Sequence, residues 1–330
     1  MYMIIFSNFL SALGFNLKAL SESTFLFDSL PHSKKRNDLF SEVDGKGSAF
    51  YYYIDAISSI ATGFLFAING YVPMFICFIF CIFSTFLAYK FKDIPGKTIP
   101  EKHSSNLKSS LSELKYTFKF IFSSKRLKCL IFFNAVLASI SSIIGSTLMS
   151  SVLTDIYLPI QYFGIITFFK QLLSGISSQN SQWFHQKFKN RALKLFGLGT
   201  SISMIFIGLP NILNFNFGIS LEILLLLFAF MAILKGPYYT LIRRYLNSFA
   251  TSELRTKISL ASDLVYSIAK SAISFFASFL LGITTTSYVF VILGCVITIF
   301  FVLLLDYMKD KVGLKPEEYD KKEIEFTLAK

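Results

Sequence analysis

The feature that most limits what this chain can fold into is a series of apolar runs, each close to the length needed to cross a bilayer. Nine are legible, at about 3–27, 51–71, 72–89, 129–150, 158–178, 195–210, 220–242, 258–281 and 286–307. About 20 apolar residues in a helix span the hydrocarbon core. In lipid every backbone N–H and C=O must be satisfied inside the protein, which leaves helices or a closed barrel. A barrel requires period-two alternation, and runs such as Leu224-Leu225-Leu226-Leu227 do not alternate. The expected class is therefore an all-α polytopic membrane protein with about nine transmembrane helices. Composition agrees: 53% of residues are hydrophobic and 16% are charged, against about 25% charged in an average soluble domain.

The net charge of +12 is a matter of position rather than of a nucleic-acid partner. Of the 32 Lys and Arg residues, 28 fall in the connections at 34–46, 90–128, 187–194 and 243–257 and in the tail. The alternating turns Asn69–Pro73, Asp155–Pro159, Pro210–Gly218 and Gly282–Ser287 hold none. That asymmetry is the positive-inside pattern. It predicts a multi-pass protein of the cell (plasma) membrane with its basic loops and C-terminus in the cytoplasm. No long basic arm is present for a phosphate backbone to follow, so no nucleic acid is expected as a partner. The expected partners are the lipid bilayer, a small-molecule substrate and a coupling ion.

Cys77, Cys81, Cys129 and Cys295 lie in apolar runs, while His32, His103 and His185 are scattered through polar connections. Neither set has metal-ligand spacing, and no metal or other cofactor is expected. No HExxH, GxSxG or Walker A motif occurs, which argues against an enzyme and against transport driven by the chain's own ATP hydrolysis.

The connection at 90–128 is the longest and divides the chain. It predicts a partial N-terminal bundle of three helices over 1–89, a cytoplasmic loop over 90–128, a six-helix bundle over 129–307 and a cytoplasmic tail over 308–330. Leu107, Leu111, Leu114, Phe118 and Ile121 follow three- and four-residue spacings. These spacings describe an amphipathic helix on the membrane surface, with a plain polar linker as the alternative.

Two helical bundles joined by a long cytoplasmic loop resemble the major facilitator superfamily, and local residues add to the likeness. Ala19-Leu20-Ser21-Glu22-Ser23-Thr24-Phe25-Leu26-Phe27-Asp28-Ser29-Leu30 is similar to the end of that family's fourth helix. Gly63-Phe64-Leu65-Phe66 resembles the small-residue region of the fifth. Tyr245-Leu246-Asn247 and Arg255-Thr256-Lys257-Ile258-Ser259 resemble the loop between the tenth and eleventh. The resemblance implies a partial major-facilitator fold, spans 4 to 12 of 12, in which the first three helices are missing. It further implies secondary active or facilitative transport of a small solute by alternating access. A truncated, non-transporting remnant is the alternative, and an intramembrane enzyme is a weaker one.

Charges inside apolar runs are the candidate site residues, because each costs about 2.5–3.5 kcal/mol at mid-bilayer. Lys18 and Glu22, four residues apart, share a helix face. Asp263 and Lys270, two turns apart, also share one. Both pairs fit either local neutralisation or a functional role. Asp55 adds a further carboxylate. Lys170 with Gln171 and Lys235 lie nearer mid-span, and the resemblance places their helices around a central cavity. Lys170 and Gln171 are therefore the leading candidates for substrate contact. Lys235 precedes Gly236 and Pro237, where a missing backbone N–H can bend the helix into a gate or leave a fixed kink. Ser267, Ser271, Ser274 and Ser278 form a small-residue stripe suited to close helix approach or to a polar cavity lining.

Overall fold

The computed structural model describes residues 36–90, 125–188, 191–248 and 252–311, with isolated positions between 3 and 30 and at 119 and 122. The first predicted span, the amphipathic segment at 107–122 and the tail lie outside the described residues or almost wholly so. The described chain is helical and, among those residues, holds no strand.

Helix α1 runs Arg36–Ile68 and α2 runs Tyr71–Ala88. Helix α3 (Lys125–Ile143) passes through a π-helical turn at Ile144–Leu148 into α4 (Met149–Asp155). Then come α5 (Gln161–Gln179), α6 (Ser181–Phe188), α7 (Arg191–Ile212), α8 (Phe217–Ser248), α9 (Ser252–Ile283) and α10 (Thr286–Lys311). Among the described residues, seven stretches are long and apolar enough to cross a membrane: Glu42–Ile68, Tyr71–Ala88, Leu127–Asp155, Arg191–Ile212, Phe217–Arg243, Ile258–Ile283 and Thr286–Met308. The chain is thus a polytopic helical membrane protein by length and composition.

Helix α5, expected as a span, is not among the seven. Its inward face explains why. The buried residues of α5 are Gly164, Gln171, Ser174, Gly175, Ser177 and Ser178, all small or polar. This helix packs between α1 and α8, and its composition serves those close contacts rather than lipid. Helix α1 also begins well before the predicted residue 51. Its first turns, Arg36 to Gly47, extend the helix beyond the apolar run and carry Asp44, which finds a partner on α8.

The connecting turns show why the apolar runs end where they do. Tyr157 (φ 57°) and Asn214 (φ 55°) adopt left-handed backbone. At the first, the Leu158 N–H donates to Leu153 O at 3.1 Å and the Tyr157 N–H to Thr154 O at 2.9 Å. At the second, the Phe215 N–H donates to Pro210 O at 2.9 Å and the Asn214 N–H to Asn211 O at 3.3 Å. Both are Schellman closures, which satisfy the last carbonyls of a helix. Asn tolerates this conformation well and Tyr does not. At the α1–α2 turn, Asn69 Oδ1 accepts from the Tyr71 N–H at 2.9 Å, opening α2 two residues before Pro73.

Among the described residues, the main apolar cluster lies after residue 125. The apolar stretch of α3 is 67% buried, whereas that of α2 is 0% buried. Phe133 of α3 meets Phe301 of α10 with ring centroids 5.1 Å apart. Both pack over Gly197 of α7, where an added Cβ would lie 3.0 Å from Phe133 and 3.1 Å from Phe301. Helix α9 buries Ile258, Ala261, Ala277 and Leu280 and packs chiefly on α3. The serine stripe points elsewhere: Ser267, Ser271 and Ser278 are exposed, and the Ser267 hydroxyl donates back to Asp263 O at 2.8 Å. Close helix approach is supplied instead by glycines. A Cβ on Gly164 would lie 2.5 Å from Ser59 O, on Gly208 2.3 Å from Ser287 O, and on Gly294 2.9 Å from Ile205 N.

Candidate functional site

Three helices, α1, α5 and α8, bring together three of the charges found inside apolar runs, Asp55, Lys170 and Lys235. At one end, Arg243 Nη1 of α8 donates to Asp44 Oδ1 of α1 at 2.9 Å, joining sequence positions on either side of the long connection. Asp44 is 9% exposed and Arg243 45% exposed, so the pair is buried on one side only. Farther along, Asp55 of α1 accepts a hydrogen bond from Gln171 Nε2 of α5. Tyr53 donates to Gln179 Oε1 at 3.2 Å. The Lys235 ammonium of α8 sits 5.5 Å from the centre of the buried Tyr52 ring of α1, a cation–π contact.

Small residues make these approaches possible. A Cβ on Gly236 would lie 2.3 Å from Ser174 O and from Ser177 Oγ of α5, and one on Gly175 would lie 2.5 Å from the Tyr53 ring. Gly236 is therefore glycine for backbone approach between α8 and α5. Pro237 lies within α8, and the helix continues through it to Ser248.

Lys170 and Lys235 both line one cavity, open to the outside, between α3, α5, α7 and α8. Leu137, Phe196, Phe228, Met231 and Tyr238 supply an apolar wall, and Ser141 and Thr200 supply hydroxyls. The π-helical turn begins at this wall, with Ile144 and Gly145 both lining the cavity. A π turn shifts the helical ladder by one residue and is frequent at functional sites. Lys170 Nζ approaches Met149 Sδ at 3.0 Å. Thioether sulfur is a weak acceptor, so this contact leaves most of the ammonium's bonding capacity unused. No carboxylate among the described residues lies within ion-pair distance of either lysine. Each ammonium is attracted by the nearby Asp55, and the two repel each other.

The sequence candidates thus divide. Lys170, Gln171, Lys235, Asp55, Gly236 and Pro237 are gathered along α1, α5 and α8. Asp263 and Lys270 lie on α9 and do not pair: Lys270 Nζ instead sits 5.8 Å from the Tyr266 ring centre. Glu22 lies outside the described residues, as does Lys18. Asp44, Arg243 and Tyr52 were not singled out in the sequence. Asp44 and Arg243 read as ordinary loop charges, and only their junction across 199 positions gives them a shared role. Tyr238 is a further member: its hydroxyl donates to Asn134 Oδ1 at 2.5 Å, fixing one cavity wall to α3.

Comparison with protein-family profiles finds no match, and a search of curated protein sequences finds none either.

Proposed function

We propose that this chain is a secondary transporter of the major facilitator type that moves a small solute across the cell membrane by alternating access. The observation that carries the reading is the junction of α1 with α5 and α8 beside a cavity holding Lys170 and Lys235. Helix α1 precedes the long connection, and α5 and α8 follow it. Their contacts include glycine approaches and a few polar pairs, which can separate and re-form as units rock. Ionisable side chains between membrane helices usually face a wet cavity or solute path. In this reading the basic connections and the C-terminus are cytoplasmic, so the Asp44–Arg243 pair closes the cytoplasmic end. The energy comes from an ion gradient or from the solute's own gradient.

The test locks the junction. Cysteines at Asp44 and Arg243, in a chain with Cys77, Cys81, Cys129 and Cys295 replaced by Ser, are joined by a bifunctional thiol reagent. Solute uptake into proteoliposomes is expected to stop on cross-linking and to return when a cleavable linker is cut. Undiminished uptake in the cross-linked protein would defeat the rocking mechanism.

A second reading, a non-transporting remnant, is favoured by the light burial of two helices. Helix α2 buries no residue, and the apolar stretch of α9 is only 11% buried. Uptake by the 330-residue chain alone would dismiss it. Uptake that requires a co-expressed helical fragment would support it.

A further inference from the structure

We infer that the cavity between α3, α5, α7 and α8 binds a small organic anion with an apolar body, its acidic group held by Lys170 and Lys235. The inference rests on the transport reading for the solute's route and on the cavity alone for its chemistry.

The argument begins with charge. Two ammonium groups line one cavity, and each is costly to keep charged away from water. The described carboxylate that acts on both is Asp55, and it already accepts the Gln171 amide. Two lysines thus share one carboxylate whose hydrogen-bonding capacity is partly used. The present partners of the lysines are weak ones, a thioether sulfur and an aromatic face. Neither neutralises charge, and both can be left when a better acceptor arrives. Carboxylate or phosphate oxygens are such acceptors, because charge-assisted hydrogen bonds are about twice as strong as neutral ones. The remaining wall constrains the rest of the solute. Leu137, Phe228 and Met231 offer no hydrogen bonds, and the hydroxyls of Ser141 and Thr200 offer few, so a heavily hydroxylated body would regain only a small part of the hydration it lost there. An alkyl or aryl body loses nothing and gains burial.

The position of the lysines also links binding to the junction. Lys235 rests on Tyr52 of α1, and Asp55 of α1 attracts both ammonium groups. An anion that draws Lys235 toward the cavity weakens its hold on α1. Occupancy is thereby felt by the helix that precedes the long connection.

The test uses the full chain in neutral maltoside detergent. Thermal unfolding is followed against benzoate, hexanoate and hexyl phosphate, with benzamide, hexanamide and hexanol as neutral counterparts. At least one anion is expected to raise the midpoint saturably while its neutral counterpart does not. Affinity for that anion is expected to fall about tenfold or more in Lys170→Gln and in Lys235→Gln, and to survive in part in Lys170→Arg and Lys235→Arg. Should a Gln variant fail to fold, the Arg variants and the anion-against-neutral comparison still decide. No shift with any anion, equal shifts with the neutral compounds, or unchanged affinity in the Gln variants would overturn the inference. Phosphatidylglycerol forms a separate arm: a shift with this lipid and with none of the soluble anions would make the occupant a lipid headgroup and overturn the solute assignment. Uptake of the bound anion into proteoliposomes separates the two readings. Lysine-dependent binding without uptake keeps the anion site and defeats transport, whereas uptake of a neutral counterpart without anion binding does the reverse.

Discussion

Replacing Gly164 with alanine tests a close backbone approach between α1 and α5. The new Cβ would lie 2.5 Å from the Ser59 carbonyl oxygen and 3.3 Å from Gly63 Cα. Ordinary contact begins at 3.4 Å, so the helices must part by about 0.9 Å at the crossing (3.4 less 2.5). Both neighbouring atoms belong to the backbone, and no rotamer change relieves the clash. Overpacking of this kind costs about 1–3 kcal/mol, and a rigid backbone contact belongs at the upper end. Helix propensity works the other way, since alanine is better than glycine by about 1 kcal/mol. The net expectation is a destabilisation of about 2 kcal/mol, or roughly 5 °C in the unfolding midpoint on the scale of mid-sized domains. The assay is the fraction of monodisperse protein surviving heating in detergent. Gly282→Ala serves as the control, because nothing lies within 4 Å of its added Cβ, and it is expected to be neutral or slightly stabilising. A Gly164→Ala protein as stable as Gly282→Ala would refute the crossing and, with it, the placement of α1 against α5.

Tyr238→Phe removes the hydroxyl that donates to Asn134 Oδ1 at a site only 2% exposed. It is expected to cost about 1–2 kcal/mol, and unchanged thermal stability would show that the pair is not formed. A double-mutant cycle on Asp44→Asn and Arg243→Gln is expected to give a coupling of about 1 kcal/mol, kept small by the solvent around Arg243; a coupling of zero would separate α1 from α8 at this end. Orientation is read by an impermeant thiol reagent on intact cells. Cysteines placed within 90–128 and in the tail should stay unlabelled and one at Asn214 should react, and labelling of the tail would reverse the topology.

Much of the helical plan follows from the order of residues alone. The need to satisfy backbone groups within each apolar run makes helices from the segments around α2, α3, α7, α8, α9 and α10, and turn residues such as Asn69 and Asn214 end them. Charges within the apolar runs are legible for the same reason, since Lys170 of α5, Lys235 of α8 and Asp55 of α1 stand out against apolar neighbours. What the sequence could not decide is which charges meet. Asp263 and Lys270 share a helix face yet do not pair, while Asp44 and Arg243, far apart in sequence, do. The serine stripe of α9 suggested close packing, but the packing belongs to Gly164, Gly208, Gly236 and Gly294. Periodicity reports which residues share a face of one helix. It carries no information on which neighbour that face meets, and that depends on the steric match of whole helices. A lysine in a membrane helix is therefore legible as costly from sequence, but only the tertiary packing of α3, α5, α7 and α8 makes Lys170 and Lys235 two walls of one cavity.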